Sequence, residues 1–209
     1  MVLDSSSALG AVDDVMPNAY EESWDILDTD GTNTTGSPLT IGGGGGTNMF
    51  IYTSPSVAGA TLTMAYQNDG GAAAVADSYT DFAIAYSPEM VEGLTVGYAR
   101  ADQNAGVSID VDKSTMYAKY AVGGFTVGYQ VSEADHDTKS SSADVVAYGV
   151  TYAVNDDFSI GYHNHTYEPD SAASSSASND QESEGISASY TMGGMTLAGA
   201  MNEVDNMDG

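Results

Sequence analysis

Five times along this chain a strand-like run ends at a tyrosine, passes through a short polar turn and resumes on alternating apolar residues. The copies are Tyr52-TSPSVAG-ATLTMAY, Tyr86-SPEMVEG-LTVGY, Tyr120-AVGG-FTVGY, Tyr152-AVNDD-FSIGY and Tyr190-TMGG-MTLAGA, with lead tyrosines 34, 34, 32 and 38 residues apart. A repeat of this period constrains the architecture before any single residue is interpreted. The unit is a β-hairpin with a tight turn at one end and a long polar connection at the other.

From Asn48 onward the hydrophobic period is two. Leu62, Met64 and Tyr66 oppose Thr61, Thr63 and Ala65; Phe82, Ile84 and Tyr86 oppose Asp81, Ala83 and Ala85. Phe125, Val127, Tyr129 and Val131 oppose Thr126, Gly128 and Gln130, and Phe158, Ile160 and Tyr162 oppose Ser159, Gly161 and His163. Strict alternation predicts half-buried strands, here ten: about 48–54, 60–67, 79–87, 93–101, 114–121, 125–132, 144–153, 158–167, 185–192 and 195–203. The fold class is all-β and antiparallel.

The second face decides the solvent. It holds Thr, Ser, Gly, Ala and Gln with an occasional Asp, Lys or His. A soluble sandwich buries its apolar faces together and turns charged residues outward. A transmembrane barrel places apolar and aromatic residues against lipid and small polar residues against a watery lumen. Strands of about nine residues match the roughly 9–11 that cross a bilayer when tilted. The tyrosines gather at the short-turn end, where an interfacial aromatic girdle belongs. Short turns (55–59, 123–124, 155–157, 193–194) alternate with long Asp-, Ser- and Gly-rich loops at about 68–78, 102–113, 133–143 and 168–184. The pattern predicts an antiparallel transmembrane β-barrel. Its alternative is a secreted acidic β-sandwich or solenoid, an adhesion protein with calcium-binding loops.

Residues 1–47 read differently: acidic, irregular, broken by Pro17 and Pro38 and ending in the run Gly42–Gly46. A structureless stretch this long inside a domain is usually a functional loop or a disordered one. A short helix is expected within Asp14–Trp24. The chain thus divides into an acidic, Gly-rich pore loop, 1–47, and a set of barrel hairpins, 48–209.

Thirty acidic residues face only four basic ones, Arg100, Lys113, Lys119 and Lys139, for a net charge of -26. That balance excludes nucleic acid as a partner, because neutralising phosphates needs clustered Lys and Arg. It suits cations. With no cysteine there is no disulfide framework and no thiolate metal site. No stretch approaches 18 apolar residues, and Met1-Val2-Leu3 lacks the basic and apolar regions of an export signal.

Taken together, Ala11-VDDVMPNAYEES, Tyr52-TSPSVAGATLTMAY, Tyr86-SPEMVEGLTVGYARAD, Gly124-FTVGYQVSEAD and Tyr190-TMGGMTLAGA resemble the Gram-negative general porins, the alphaproteobacterial kind most of all. The resemblance implies an outer-membrane location, a sixteen-stranded barrel, a homotrimer, and a third loop folded into the pore. Ten strands and no terminal aromatic strand imply a fragment, with 1–47 as the in-folded loop and the sixth to fifteenth strands following it; closure of ten strands on themselves is the other option. It implies passive diffusion of ions and small hydrophilic solutes, with no enzymatic activity. The loop carboxylates that match the family's constriction are Asp13, Asp14, Glu21, Glu22 and Asp25.

Among wall residues, parity makes Asp81, Lys119, Gln130, His163 and His165 lumen-facing, and Arg100 shares the lipid-side parity of Tyr98 near a loop. With so few bases a cation-preferring pore is expected. His163 and His165 leave one face of a strand, but two ligands fall short of the three or four of most zinc sites. Asp28-TDG opens like a calcium loop without the bidentate glutamate that closes one. No metal centre and no cofactor are expected, with calcium on the acidic loops as the one candidate ion. Gly42–Gly46 is no phosphate loop, since Thr47-Asn48 and a strand follow where Lys, Ser/Thr and a helix are required. No nucleophile elbow is present.

Overall fold

The computed structural model describes residues 2–4, 15–20, 23, 49–67, 78–104, 110–137, 142–169 and 180–205. Its strands are β1 (Val2–Asp4), β2 (Met49–Thr53), β3 (Ala60–Gln67), β4 (Ser78–Tyr86), β5 (Leu94–Asn104), β6 (Val111–Val122), β7 (Phe125–His136), β8 (Ala143–Asn155), β9 (Phe158–Pro169), β10 (Gln181–Met192) and β11 (Met195–Asp205). They form one sheet in sequence order, every neighbour antiparallel. Among the described residues β1 and β11 are its two edges, and no pairing joins them. The ten expected strands are all present. The eleventh, β1, is three residues long and pairs Leu3 with Phe50; a span so short carries no period for a sequence to reveal.

The two faces differ as a membrane wall requires. On the outer face Phe50, Leu62, Met64, Tyr66, Phe82, Ile84, Tyr98, Val127, Tyr129, Ile160 and Ile186 are 37–56% exposed. On the inner face Ala65, Asp81, Ala83, Ala99, Thr115, Gln130, His163 and Ser183 are 0–4% exposed. Water would penalise that outer face heavily, whereas hydrocarbon is its natural solvent. The continuous antiparallel ladder meets the other demand of a bilayer, that backbone groups be satisfied within the protein. A sandwich would cover the apolar face with a second sheet, and among the described residues there is only one.

The repeat has a physical cause at the short-turn rim. The residue after each later lead tyrosine donates its backbone N–H to the preceding turn. Ser87 bonds Gly59 O (2.9 Å), Ala121 bonds Gly93 O (2.9 Å), Ala153 bonds Gly124 O (2.8 Å) and Thr191 bonds Asp157 O (2.8 Å). Each hairpin is thereby tied to the next at one level, which places the tyrosines in a row. Gly59 and Gly93 both sit at φ +84°, and a Cβ on either would collide with the carbonyl of Ser87 or Ala121. Only glycine fits a turn that closes this tightly at positive φ. The Asn155 turn works through its side chain instead: Oδ1 accepts the N–H groups of Asp157 and Phe158, each at 2.9 Å.

At the other rim the strands outrun the expected loop boundaries. β5 continues to Asn104, β7 to His136 and β9 to Pro169, while β6 begins at Val111, β8 at Ala143 and β10 at Gln181. Outward positions there carry Asp102, Asp112, Glu133, Asp135, Glu182 and Glu184 instead of apolar residues. Apolar alternation stops where lipid stops, but the backbone ladder does not depend on lipid and runs on.

Candidate functional site

On the inner face the strand register aligns Thr95, Lys119, Gly128, Gly149, His163, Gly185 and Asn202 in one row across β5 to β11. Three of its seven members are glycines. Their missing side chains leave a lane, and the segment Val15–Tyr20 with Ser23 lies in it. A Cβ on Gly128 would stand 2.5 Å from Pro17 Cδ and 3.0 Å from Met16 Sδ. One on Gly149 would stand 2.9 Å from the Pro17 carbonyl oxygen. Gly161, beside the row, has the same relation to the Ala19 nitrogen at 3.2 Å, and Gly185 to Ser23 Cβ at 3.0 Å.

Two polar contacts fix the segment along this lane. His163 Nε2 donates to the Pro17 carbonyl at 3.0 Å, which places the ring proton on Nε2. Ser23 Oγ lies 3.2 Å from Ser183 Oγ and 3.4 Å from the Ser183 carbonyl, with both serines fully buried. Upstream, Val15 and Met16 pack on Ala147 and Tyr117. The helix expected within Asp14–Trp24 is not formed at 15–20, which has no regular structure. Pro17 has no N–H to give a helix, and its carbonyl is taken by the wall. Removing the imidazole in His163→Ala leaves that buried carbonyl without its donor, at a cost of about 1–3 kcal/mol. The expected result is faster proteolytic nicking near Pro17 in the folded protein, with the barrel's own resistance to denaturant unchanged.

The other half of the inner face is lined by alanine. Met49 and Tyr79 pack with Ala65, Ala83, Ala99 and Ala101, and Tyr117 joins this cluster to the in-folded segment. The Tyr117 ring lies directly over Gly97. Asp81 is buried here, its Oδ2 accepting the Tyr79 hydroxyl at 2.8 Å. Gln130 Nε2 donates to Ser132 Oγ at 3.3 Å, and Ser132 meets Thr115 Oγ1 at 2.6 Å. Lys119 is half-buried in the same row, between Thr95 and Gly128. His165 is buried on the same face as His163, opposite Ser183 and Ala147.

The structure therefore places Asp81, Lys119, Gln130, His163 and His165 on one face. Asp13, Asp14, Glu21, Glu22 and Asp25 lie outside the described residues. Arg100 points outward, 3.5 Å from Asp102 and 3.4 Å from Asp112; half-exposed pairs of this kind contribute at most about 1 kcal/mol. Among the described residues no three His, Asp or Glu side chains converge as a metal site. Sequence reasoning missed Pro17, Ser23, Ser183 and the glycines as a unit. The signal was present, since Gly128, Gly149, Gly161 and Gly185 all have inner-face parity on successive strands, but strand register was needed to align them.

A family model described as Gram-negative porin matches residues 6–209. The chain belongs to the Gram-negative porins. No curated protein matches it in sequence. Solved porins share the fold of this one. An anion-selective porin from Comamonas acidovorans superposes with a TM-score of 0.60 at 17% identity, covering 76% of this chain and 48% of that one. A porin refined at 1.8 Å superposes with a TM-score of 0.67 at 18% identity, covering 98% of this chain and 72% of that one. The porin thus spans about half the length of the first of these relatives. Its location is the bacterial outer membrane, and its sheet is barrel wall, with the apolar face toward lipid. Families of this kind are channels, and the secreted adhesion reading falls away.

Proposed function

We propose that this porin forms a water-filled channel for passive diffusion of small hydrophilic solutes and ions, and that the channel prefers cations. The observation that carries this reading is the placement of residues 15–20 and of Ser23 across the inner wall, since a loop laid over the lumen face narrows a passage without closing it. Asp13 and Asp14 immediately precede this pinned stretch in sequence; Glu21 and Glu22 fall between Tyr20 and Ser23, and Asp25 follows. We assign these five carboxylates to the constriction of the pore. Charge of one sign in a narrow passage with low-dielectric walls concentrates the opposite ion and rejects its own. Diffusion of this kind needs no cofactor and no catalytic group.

The anion selectivity of the Comamonas porin does not transfer, because 30 acidic residues against four basic ones reverse the field. Reversal potentials across planar bilayers in a salt gradient test the reading. The expected sign is that of a cation-selective pore, weakened by Glu21→Gln/Glu22→Gln. An anion-selective sign overturns the preference, and a chain that conducts nothing after insertion overturns the channel. Assembly as a homotrimer is part of the same proposal, and native mass spectrometry in detergent measures it directly.

A further inference from the structure

Tyr117 faces inward on β6, and its partner across the ladder to β5 is Gly97. A Cβ on Gly97 would run into the tyrosine ring at Cε1, with Cζ at 2.8 Å and Cδ1 at 2.9 Å. The ring thus lies across the glycine, and only a missing side chain admits it there. A glycine inside a strand marks a close approach of this kind. From that position the ring touches two separate clusters. On one side it packs on the alanine-lined wall of β2 to β5. On the other it packs, with Val15, on Met16 and Ala147. Among the described residues no other side chain belongs to both clusters.

The in-folded segment is therefore held in two different ways. Hydrogen bonds from the wall take Pro17 and Ser23. Val15 and Met16 are held by apolar packing, with Met16 only 5% exposed. Apolar attraction has no direction of its own, and a methionine side chain adapts to whatever surface it meets. The place of this end is then set by the shape of that surface, which is Ala147 and a rigid ring seated on Gly97. A smaller residue at 117 would leave a gap against Met16. A Cβ at 97 would lift the ring off the wall and into the space of the segment. Val15 and Met16 directly follow Asp13 and Asp14 in sequence, so whatever fixes them limits how far that pair of carboxylates can stray, a consequence that rests on the channel reading above.

We propose that Tyr117 is a positioning residue for the upstream end of the in-folded segment, with Gly97 setting the height of its ring. The chain has no cysteine, so Met16→Cys introduces a single thiol, itself a small apolar residue that keeps to the interior. Its alkylation rate in the detergent-folded full chain reports opening of the seat. Tyr117→Phe keeps the ring and should keep the slow rate. Tyr117→Ala should raise the rate about tenfold through lost packing. Gly97→Ala should raise it by a similar factor, although the three nearest neighbours of its added Cβ are all ring atoms of Tyr117. In the Tyr117→Ala background Gly97→Ala should add nothing, because effects that pass through one shared contact do not sum. Alanine is already the inner-face residue at 83, 99 and 147, so the wall should fold in each variant, as the heat-modifiable gel shift of folded barrels reports. An unchanged rate in Tyr117→Ala, a phenylalanine variant as reactive as the alanine one, or full additivity of Gly97→Ala with Tyr117→Ala would each overturn the proposal. Single-channel conductance of the same variants with Met16 intact reads the channel separately and should rise in Tyr117→Ala and Gly97→Ala. Faster alkylation with unaltered conductance upholds the positioning role and tells against the segment as the constriction.

Discussion

Gly128→Val releases the in-folded segment and gives a wider channel. Valine suits a strand, and the wall at β7 is already held by full ladders to β6 and β8. The added Cβ falls 2.5 Å from Pro17 Cδ and 3.0 Å from Met16 Sδ, closer than side chains pack. Proline has little freedom to yield, and its carbonyl is tied to His163. Overpacking of this kind costs about 1–3 kcal/mol, which shifts an equilibrium between seated and released segment by about 5- to 150-fold. Single-channel conductance should rise and cation preference should fall together, because the segment that narrows the passage is also the one flanked by the carboxylates. Gly199→Ala, which meets no neighbour, is the matched control and should leave both unchanged. Unaltered conductance in Gly128→Val would show that the segment does not limit the pore.

Val127→Arg lowers the efficiency of insertion while Thr126→Arg, one residue away, does not. Val127 lies in the outer apolar band, between Phe125 and Tyr129 along its strand and opposite Tyr120 and Val150 across it. It is 42% exposed, and that exposure is to lipid. An arginine on the lipid face of a barrel costs up to about 2–4 kcal/mol at the midplane and less toward either interface. Thr126 points to the other face, where water solvates a new guanidinium and the cost is small. Folding into liposomes, read by urea midpoint and the heat-modifiable gel shift, should separate the two variants clearly. Thr126→Arg should instead move the reversal potential toward anions. Equal losses in both would mean that the two faces do not meet different solvents.

These two experiments probe features of different origin. The lipid face was legible in sequence because a period of two sorts residues to faces whatever the strand register. Phe82, Ile84, Val127 and Ile160 needed no partner strand to be assigned outward. The glycine lane needed every partner. Gly128 and Gly149 look like unremarkable small residues until the register sets them side by side and brings Pro17, more than a hundred positions earlier in the chain, between them. The same limit hid the strand ends. Sequence marked where apolar alternation stops, near Val131 and Val146, whereas the ladder ends at His136 and Ala143. The short helix expected within Asp14–Trp24 does not form at 15–20, where a local pattern is overruled by a wall that takes the Pro17 carbonyl for itself.

By itself the sequence determined the hairpin count, the side of each strand that faces lipid, and the acidic sign of the field. All three follow from local order and composition, which a single chain carries in full. Only the tertiary structure decided what lies across the lumen face and what holds it there. His163 bonding Pro17, Ser183 meeting Ser23 and glycines clearing the space between are contacts over roughly 110 to 160 positions of chain. Contacts at that separation are set by strand register and barrel curvature, which no local pattern encodes.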